Sequence, residues 1–353
     1  MEYNNHYKDI TIKMVENEMM ELAPKIRKYN SYLAKVYGLG LPALFIMGSI
    51  VQSGIVTGEF NRTDIVLAIL MIADIIMLVV GFKKIISPLN AMEKRYKNLY
   101  KDNFVLAVLN EQFDNVSYNW EKGYTREEIK QKSIIEDGSY FKSEDYLEAE
   151  YNGVKFTRAD LEIERKTDDK TIKIFSGRFY EIDFNKKILD DLRIREKNFK
   201  YAVMPKYLDK KVIETENVEF NEKFEVRALD TKSAFYVLTP QMMEYILEIR
   251  RKFKSIYISI EGTKMYIAIK SSIDSFEIST KDVIDFEKEK KKILGELEEI
   301  KLIIDELNLS DRKFVEGYAE SDVDRRYSDL EMEIANKDVV QKSMEEMFLG
   351  DIG

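Results

Sequence analysis

Two apolar runs, Val36–Val56 and Ile65–Phe82, constrain this chain more than any other stretch of its 353 residues. At 1.5 Å per residue, a helix over either run is about 27–32 Å long, which matches a hydrocarbon core of roughly 30 Å. The polar link between them, Thr57–Asp64, is about as short as helix–helix connections get. The pair therefore reads as an N-terminal two-helix transmembrane hairpin. Two buried helices of a soluble core would be long enough too, but would not be flanked by cations on one side only. Lys25, Arg27, Lys28 and Lys35 precede the first run; Lys83, Lys84, Lys94, Arg95, Lys97 and Lys101 follow the second; the link offers only Arg62. Lys and Arg concentrate on the untranslocated side, so a cell-membrane protein with two spans and both termini cytoplasmic is expected. A cleaved signal peptide is not expected, because several carboxylates precede the first run and no small-residue cleavage pattern follows it.

Asp74 stands near the middle of the second run. An ionised carboxylate at that depth costs at least about 2.5–3.5 kcal/mol. Counting from the link, the same depth on the first helix falls near Met47 and Gly48, with Ser49 and Gln52 slightly nearer the outside. Two readings follow: a proton- or ion-coupled site, or a hydrogen bond that holds one hairpin or several together. With two spans and no second acidic residue at that depth, the structural role is the simpler.

Cysteine is absent, which excludes disulfides, thiol catalysis and cysteine-ligated metals. The single histidine, His6, excludes a histidine-based triad or a multi-histidine metal site within one chain. No phosphate-cradling glycine pattern, EF-hand loop or HExxH motif occurs, so no cofactor is expected. The net charge of −9 argues against nucleic acid as a partner.

Along the chain, residues 1–35 read as a cytoplasmic N-terminal helix broken at Pro24, leading into the hairpin at 36–83. Pro88 starts another helix, running to about Phe113. Its basic start (Lys83, Lys84, Lys94, Arg95, Lys97) suits anionic lipid headgroups or serves as topology signal alone. Residues 84–280 read as a cytoplasmic α+β domain, mainly antiparallel. Thr125–Glu128 has capping-box spacing and opens a helix to about Ile134. Asn152-Gly153 marks a hairpin between Leu147–Tyr151 and Val154–Thr157. Leu161–Arg165 and Thr171–Phe175 alternate across the turn Thr167–Lys170, and Arg178–Phe184, Tyr201–Met204 and Lys223–Ala228 read as further strands. Thr239-Pro240 caps a packed helix through Phe253, and a hairpin of Ser255–Ile260 and Lys264–Lys270 turns at Gly262. Residues 281–353 form a helical tail. In it Phe286, Ile293, Leu297, Ile300, Ile304 and Leu307 mark a seam, either a coiled coil for self-association or a protein partner, or one face packing on its own domain. A second helical segment is expected around Val323–Phe348.

Ala149–Phe156, Ile174–Phe184, Phe220–Val226, Leu238–Met243 and Met265–Ala268 resemble a bacterial membrane-protein family known as domain of unknown function 3137 (DUF3137). The likeness covers roughly Tyr118–Ile278, and the preceding hairpin fits the same layout. The resemblance implies no reaction and supplies no catalytic residues.

Between Lys186 and Lys211 nine basic residues face four acidic ones, with Phe199, Tyr201 and Tyr207 interleaved. Arg193, Arg195, Lys197 and Lys200 are its centre, read either as a solvated loop and helix or as a contact for membrane lipid or an acidic partner. The whole reads as a membrane-anchored, cytoplasm-facing binding or scaffolding module rather than an enzyme. The alternative is a membrane-coupled enzyme or transporter accessory subunit using Asp74 or an unidentified carboxylate pair. Protease treatment of intact spheroplasts should spare tags at both termini; digestion of one tag alone would rule out the two-span arrangement.

Overall fold

The computed structural model describes residues 2–58, 62–184, 191–208, 212–253, 255–272, 275–307 and 309. They divide into two units, one built from residues up to Glu111 together with Phe276–Gly295, the other from Gln112–Ser275 together with the chain from Glu296.

In the first unit, α1 (Glu2–Thr57) and α2 (Arg62–Leu99) pair as an antiparallel hairpin. Its register is fixed where Gly40 faces Leu78, Gly48 faces Met71, and Tyr37 meets Phe82 edge to face at 5.9 Å. The break expected at Pro24 is absent, and Pro88 does not start a new helix: both lie inside continuous helices. An interior proline costs about 3 kcal/mol. Here buried residues flank each one and hold both sides in line: Val15, Met19, Ala23 and Ile26 on α1, Leu89 and Tyr96 on α2. After Leu99 the helix widens into a π-helical turn, Tyr100–Val105, which buries Tyr100, Lys101, Phe104 and Val105. It then closes as α3 (Leu106–Gln112), near the expected end.

The chain returns to this unit at Phe276. Arg27 donates to the carbonyl oxygen of Asp282 (2.7 Å), Tyr100 donates to Glu289 (3.2 Å), and Phe104 lies 5.3 Å from Phe286. The tail helix, α8 (Phe286–Glu306), begins here and ends in the second unit. Of its seam, Ile293, Leu297, Ile300, Ile304 and Leu307 are all buried inside the chain, so that face packs intramolecularly. The segment expected around Val323–Phe348 lies outside the described residues.

The second unit is a sheet of nine described strands: β1 (Asp114–Asn119), β2 (Tyr140–Tyr151), β3 (Val154–Lys166), β4 (Thr171–Asp183), β5 (Leu192–Glu196), β6 (Val212–Ile213), β7 (Phe224–Ala228), β8 (Ile256–Glu261) and β9 (Lys264–Lys270). The order is β1-β2-β3-β4-β9-β8-β5-β7-β6, antiparallel throughout. Asn152 and Gly153 both take left-handed backbone, as a two-residue hairpin turn requires. The strands are longer than their apolar alternation suggested: Val154–Thr157 and Leu161–Arg165 belong to one strand, as do Thr171–Phe175 and Arg178–Asp183. Tyr201–Met204 is not a strand and contributes only a bridge from Ala202 to Ile135.

Around the sheet lie α4 (Arg126–Lys132), α5 (Val218–Lys223), α6 (Thr231–Val237) and α7 (Pro240–Lys252). The Thr125 capping box is formed, with Glu128 N donating to Thr125 Oγ1 (3.2 Å) and Thr125 N to Glu128 Oε2 (2.6 Å). Ser133, in left-handed backbone, ends that helix earlier than expected. Thr239 caps α7 by accepting from Met242 N at 3.2 Å. The cross-strand neighbours Ile194, Val226, Ile258 and Ile267 share one face of the sheet. Glu196, two residues along the same face, accepts from Arg250 of α7 (2.9 Å), so α7 covers it. The opposite face carries an aromatic core of Tyr124, Phe175, Phe179, Phe199, Tyr257 and Tyr266, closed by Ile129 of α4.

Gly177 in β4 lies against β9 so closely that an added Cβ would sit 2.0 Å from the Ile269 carbonyl oxygen. Gly177→Ala should therefore lower stability by about 1–3 kcal/mol in urea unfolding followed through Trp120. Gly295→Ala, in a helix with open space around its Cβ, should raise stability by up to about 1 kcal/mol.

Candidate functional site

The hairpin is long and apolar enough to cross a membrane, and its surface is what separates it from a soluble core. The most apolar 18-residue stretch is 6% buried on the first helix and 0% on the second. Leu39, Phe45, Ile46, Ile69, Ile72 and Ile76 are all more than half exposed.

Asp74 is not joined to its expected partners. The register set by Gly40–Leu78 and Gly48–Met71 places it level with about Leu44 and Phe45, roughly one turn from Ser49. Ser49 donates instead to the Phe45 carbonyl of its own helix (2.7 Å), and Gln52 is exposed. Asp74 Oδ2 is buried with no hydrogen-bond partner among the described residues.

The collar residues all lie on α2 but divide into two groups. Lys83 and Lys84 are exposed directly after the apolar run, with no ion pair among the described residues. Lys94, Arg95 and Lys97 stand about 15–20 Å further along the axis. There Arg95 pairs with Glu18, and Lys97 with Glu277 at 3.1 Å. Lys101, missed as a functional residue, is buried in the π-helical turn and pairs with Glu277 at 2.8 Å. Burial alone would raise the Glu277 carboxyl, but hydrogen bonds from Lys101 and Lys97 outweigh it and hold its pKa below the ordinary value.

In the second unit the basic stretch is not a loop and helix: β5 runs through its centre. Arg193 is 2% exposed, bound to Asp191 and Glu261 at 2.6 Å each and donating to the carbonyls of Lys132 and Ser133. Burial works against its charge, yet Asp191 and Glu261 raise its pKa, so it is a fixed structural cation and does not face lipid. Arg195 pairs with Glu225 (3.0 Å), and Lys197 donates to the Asn221 carbonyl (2.6 Å). Lys200 is exposed. Lys186, Lys187, Lys210 and Lys211 lie outside the described residues.

A charged network that pattern reading missed lies on β3 and β4. Arg158 stands opposite Tyr180, and Asp160 opposite Arg178, so four polar side chains share one patch of the sheet. Ser275 ties them together: its N–H and hydroxyl donate to Asp160 (2.8 and 2.9 Å), and its oxygen accepts from Arg158 and from Arg178 Nε (3.2 Å). From α8, Glu299 accepts from Arg178 (2.5 Å) and Tyr180 (2.7 Å), with Arg178 and Glu299 both nearly fully buried. Burial and the neighbouring Glu299 push the Tyr180 hydroxyl far up. Arg158 pKa is raised: burial opposes its charge, but Tyr180, Asp160, Glu299 and Glu296 outweigh burial. A bulge in β2 between Glu144 and Leu147 turns Asp145 inward at positive φ, where it accepts from Tyr118. Read as alternation, these charges belong to the solvent side of their strands; the available signal was their opposite signs lining up across β3 and β4.

Beside the network lies a cleft of about 200 Å³, lined by Lys142, Glu144, Asp160, Glu162, Lys173 and Ser176 among others. Glu144 is paired with Lys142, Glu162 with Lys173, and Asp160 with Ser275. It is neither a deep site of convergent carboxylates nor an apolar groove. No cluster of three ligating side chains suited to a metal ion occurs among the described residues.

Residues 173–309 match the family model described as Protein of unknown function (DUF3137). Four of the five stretches that carry the resemblance fall inside the match; Ala149–Phe156 lies before it. No curated protein matches the chain. Among solved structures, the mycobacterial trehalose monomycolate transport factor A, TtfA, is similar at 8% identity and a TM-score of 0.34, over 61% of this chain and 96% of that one. A likeness of that size carries no argument.

A buried charge stripped of its partner costs about 3–5 kcal/mol, whereas removing both partners together is close to neutral. Glu299→Leu should therefore destabilise the protein by about 3–5 kcal/mol in urea unfolding, and Arg178→Met added to it should recover most of that loss. A double variant no better than the single one would mean that Arg178 and Glu299 are not coupled.

Proposed function

We propose that this chain is a membrane-anchored, cytoplasm-facing binding module. The observation that carries the reading is the apolar surface of the hairpin, which no described part of the chain covers. A surface of that extent on a soluble protein is an aggregation hazard, and a lipid bilayer is the environment that matches two adjacent 18-residue stretches of it. With basic residues flanking both runs, the termini and the sheet unit belong on the cytoplasmic side.

Lys83 and Lys84 are the cations placed to meet anionic headgroups. Lys94, Arg95 and Lys97, about 15–20 Å further along the helix, stand beyond a Debye length of about 8 Å from that layer. Arg193 and Arg195 are engaged within the sheet unit. The seam of α8 is enclosed in its own chain, which leaves the bilayer as the partner this reading names. The sheet unit, with its interior charges tied to one another, is suited to act as a rigid platform rather than as a reaction vessel.

Sodium carbonate should leave the full-length chain in the membrane pellet; release into the supernatant would overturn the reading. In nanodiscs of mixed phosphatidylcholine and phosphatidylserine, Lys83→Gln with Lys84→Gln should reduce co-purifying phosphatidylserine. Arg95→Gln with Lys97→Gln should leave it unchanged. Each headgroup-level cation contributes about 1 kcal/mol.

A further inference from the structure

We infer that the π-helical turn Tyr100–Val105 and the segment Phe276–Asp285 form a two-state latch. While the segment is bound, the helix keeps its wide turn; when it lets go, the helix returns to α-helical register and turns α3 by about 100°. The turn and the segment both belong to the first unit, beyond the apolar runs, so the latch does not depend on the hairpin spanning a membrane. The apolar face of this helix does not run straight. At about 100° per residue, Leu89, Tyr96 and Tyr100 share one side, whereas Phe104, Val105, Val108 and Leu109 centre about 130° away from it. All of them are nevertheless buried. Taking one residue out of the count brings the two sets to within about 30° of each other. A π-helical turn has that effect, because it accommodates one residue more than an α-helical turn without turning the helix further.

The contacts that hold this arrangement reach both sides of the turn. Tyr100 donates to Glu289, Phe104 packs on Phe286, and Lys290 pairs with Glu111 at 2.7 Å. Lys101, 1% exposed, meets Glu277 at 2.8 Å, and Lys97 meets the same carboxylate at 3.1 Å. The segment that delivers Glu277 has neither helix nor strand from Glu277 to Asp285, and Val283 in it is 83% exposed. Side chains tie it down: Arg27 donates to the carbonyls of Thr280 and Asp282, and Lys292 to that of Glu277. The bound state also carries costs. Phe276 is buried at a φ of 53°, which a bulky side chain rarely adopts. The Tyr96 hydroxyl is buried with no hydrogen-bond partner among the described residues. A loosely tied segment over such a site opens before the rest of the fold does. Once Glu277 leaves, that carboxylate no longer offsets the burial of the Lys101 ammonium. In α-helical register Lys101 stands about 120° from the side of Leu89, Tyr96 and Tyr100, so the same turn of the helix that releases α3 also releases Lys101.

The absence of cysteine lets one introduced thiol report the latch. In purified full-length protein, maleimide labelling of Val108→Cys measures how often α3 turns out. Labelling of Ala159→Cys, at a fully buried position of β3, measures opening of the sheet unit. Glu277→Gln should speed labelling at position 108 about tenfold to a hundredfold and leave position 159 unchanged. Lys101→Met added to it should recover most of the protection, since no buried ammonium is then left without its carboxylate. Deleting Asp102, an exposed residue of the π-helical turn, should leave the chain folded and slow labelling at position 108, because the two apolar sets then line up in plain α-helical register. In an ordinary α-helix the same deletion turns everything beyond it by about 100° and speeds labelling. That result, or an unfolded chain, would overturn the latch. So would a Glu277→Gln protein in which position 108 is unchanged or in which both positions speed up alike, or a double variant that labels as fast as the single one.

Discussion

The structure depends on apolar surface that no described part of the chain covers. In the hairpin the two helices meet at Tyr37–Phe82, Gly40–Leu78 and Gly48–Met71 among other places, and almost none of the most apolar stretch of either helix is buried. In water such a surface would drive association or collapse; in lipid it costs nothing, and the helices satisfy their own backbone hydrogen bonds. Beyond the apolar stretches the same helices obey the opposite rule. Val15, Met19 and Ile26 on α1, Leu89 and Tyr96 on α2, and Tyr100 in the π-helical turn that follows are buried. One pair of helices thus carries exposed apolar residues along one part of its length and buried ones along another, as the proposed passage from lipid to water would require.

The sheet unit solves a different problem. One of its faces is closed by aromatics, the other by α7 and by the second half of α8. Where α8 lies, the sheet presents Arg158, Asp160, Arg178 and Tyr180 rather than apolar residues, and Glu299 answers them. Charged groups out of water gain little net stability, but they tolerate only one arrangement, because a shifted helix would leave an arginine unpaired. The seam of isoleucines and leucines supplies the attraction; the ion pairs fix the register.

Local signals were legible in the sequence and long-range ones were not. The apolar runs, the Asn152-Gly153 turn, the Thr125 capping box and the Thr239-Pro240 helix start all depend on residues within a few positions of one another, and the structure has each of them. The α+β class and the antiparallel sheet followed from those. The prolines misled because their cost is local, whereas the packing that overrides it comes from other elements. Arg193 misled because its neighbours in sequence are basic while its neighbours in space are Asp191, Glu261 and the end of α4. Of the candidate site, Asp74 was recognisable from its chemistry alone. Its separation from Ser49 was not, since counting depth from the link misplaces the helices by about one turn.

The first unit is discontinuous in sequence: α1 and α2 are completed by a segment that begins at Phe276. The order of synthesis therefore matters. When Tyr100 and Phe104 leave the ribosome, Glu289 and Phe286, which meet them in the finished protein, are still roughly 180 residues away. At about 5–20 residues per second, some 10–40 s pass before they emerge. For most of that interval Lys101 has been made and Glu277, its partner in the finished protein, has not. The first unit is therefore completed only after the residues of the sheet, from Gln112 to Ser275, have been translated.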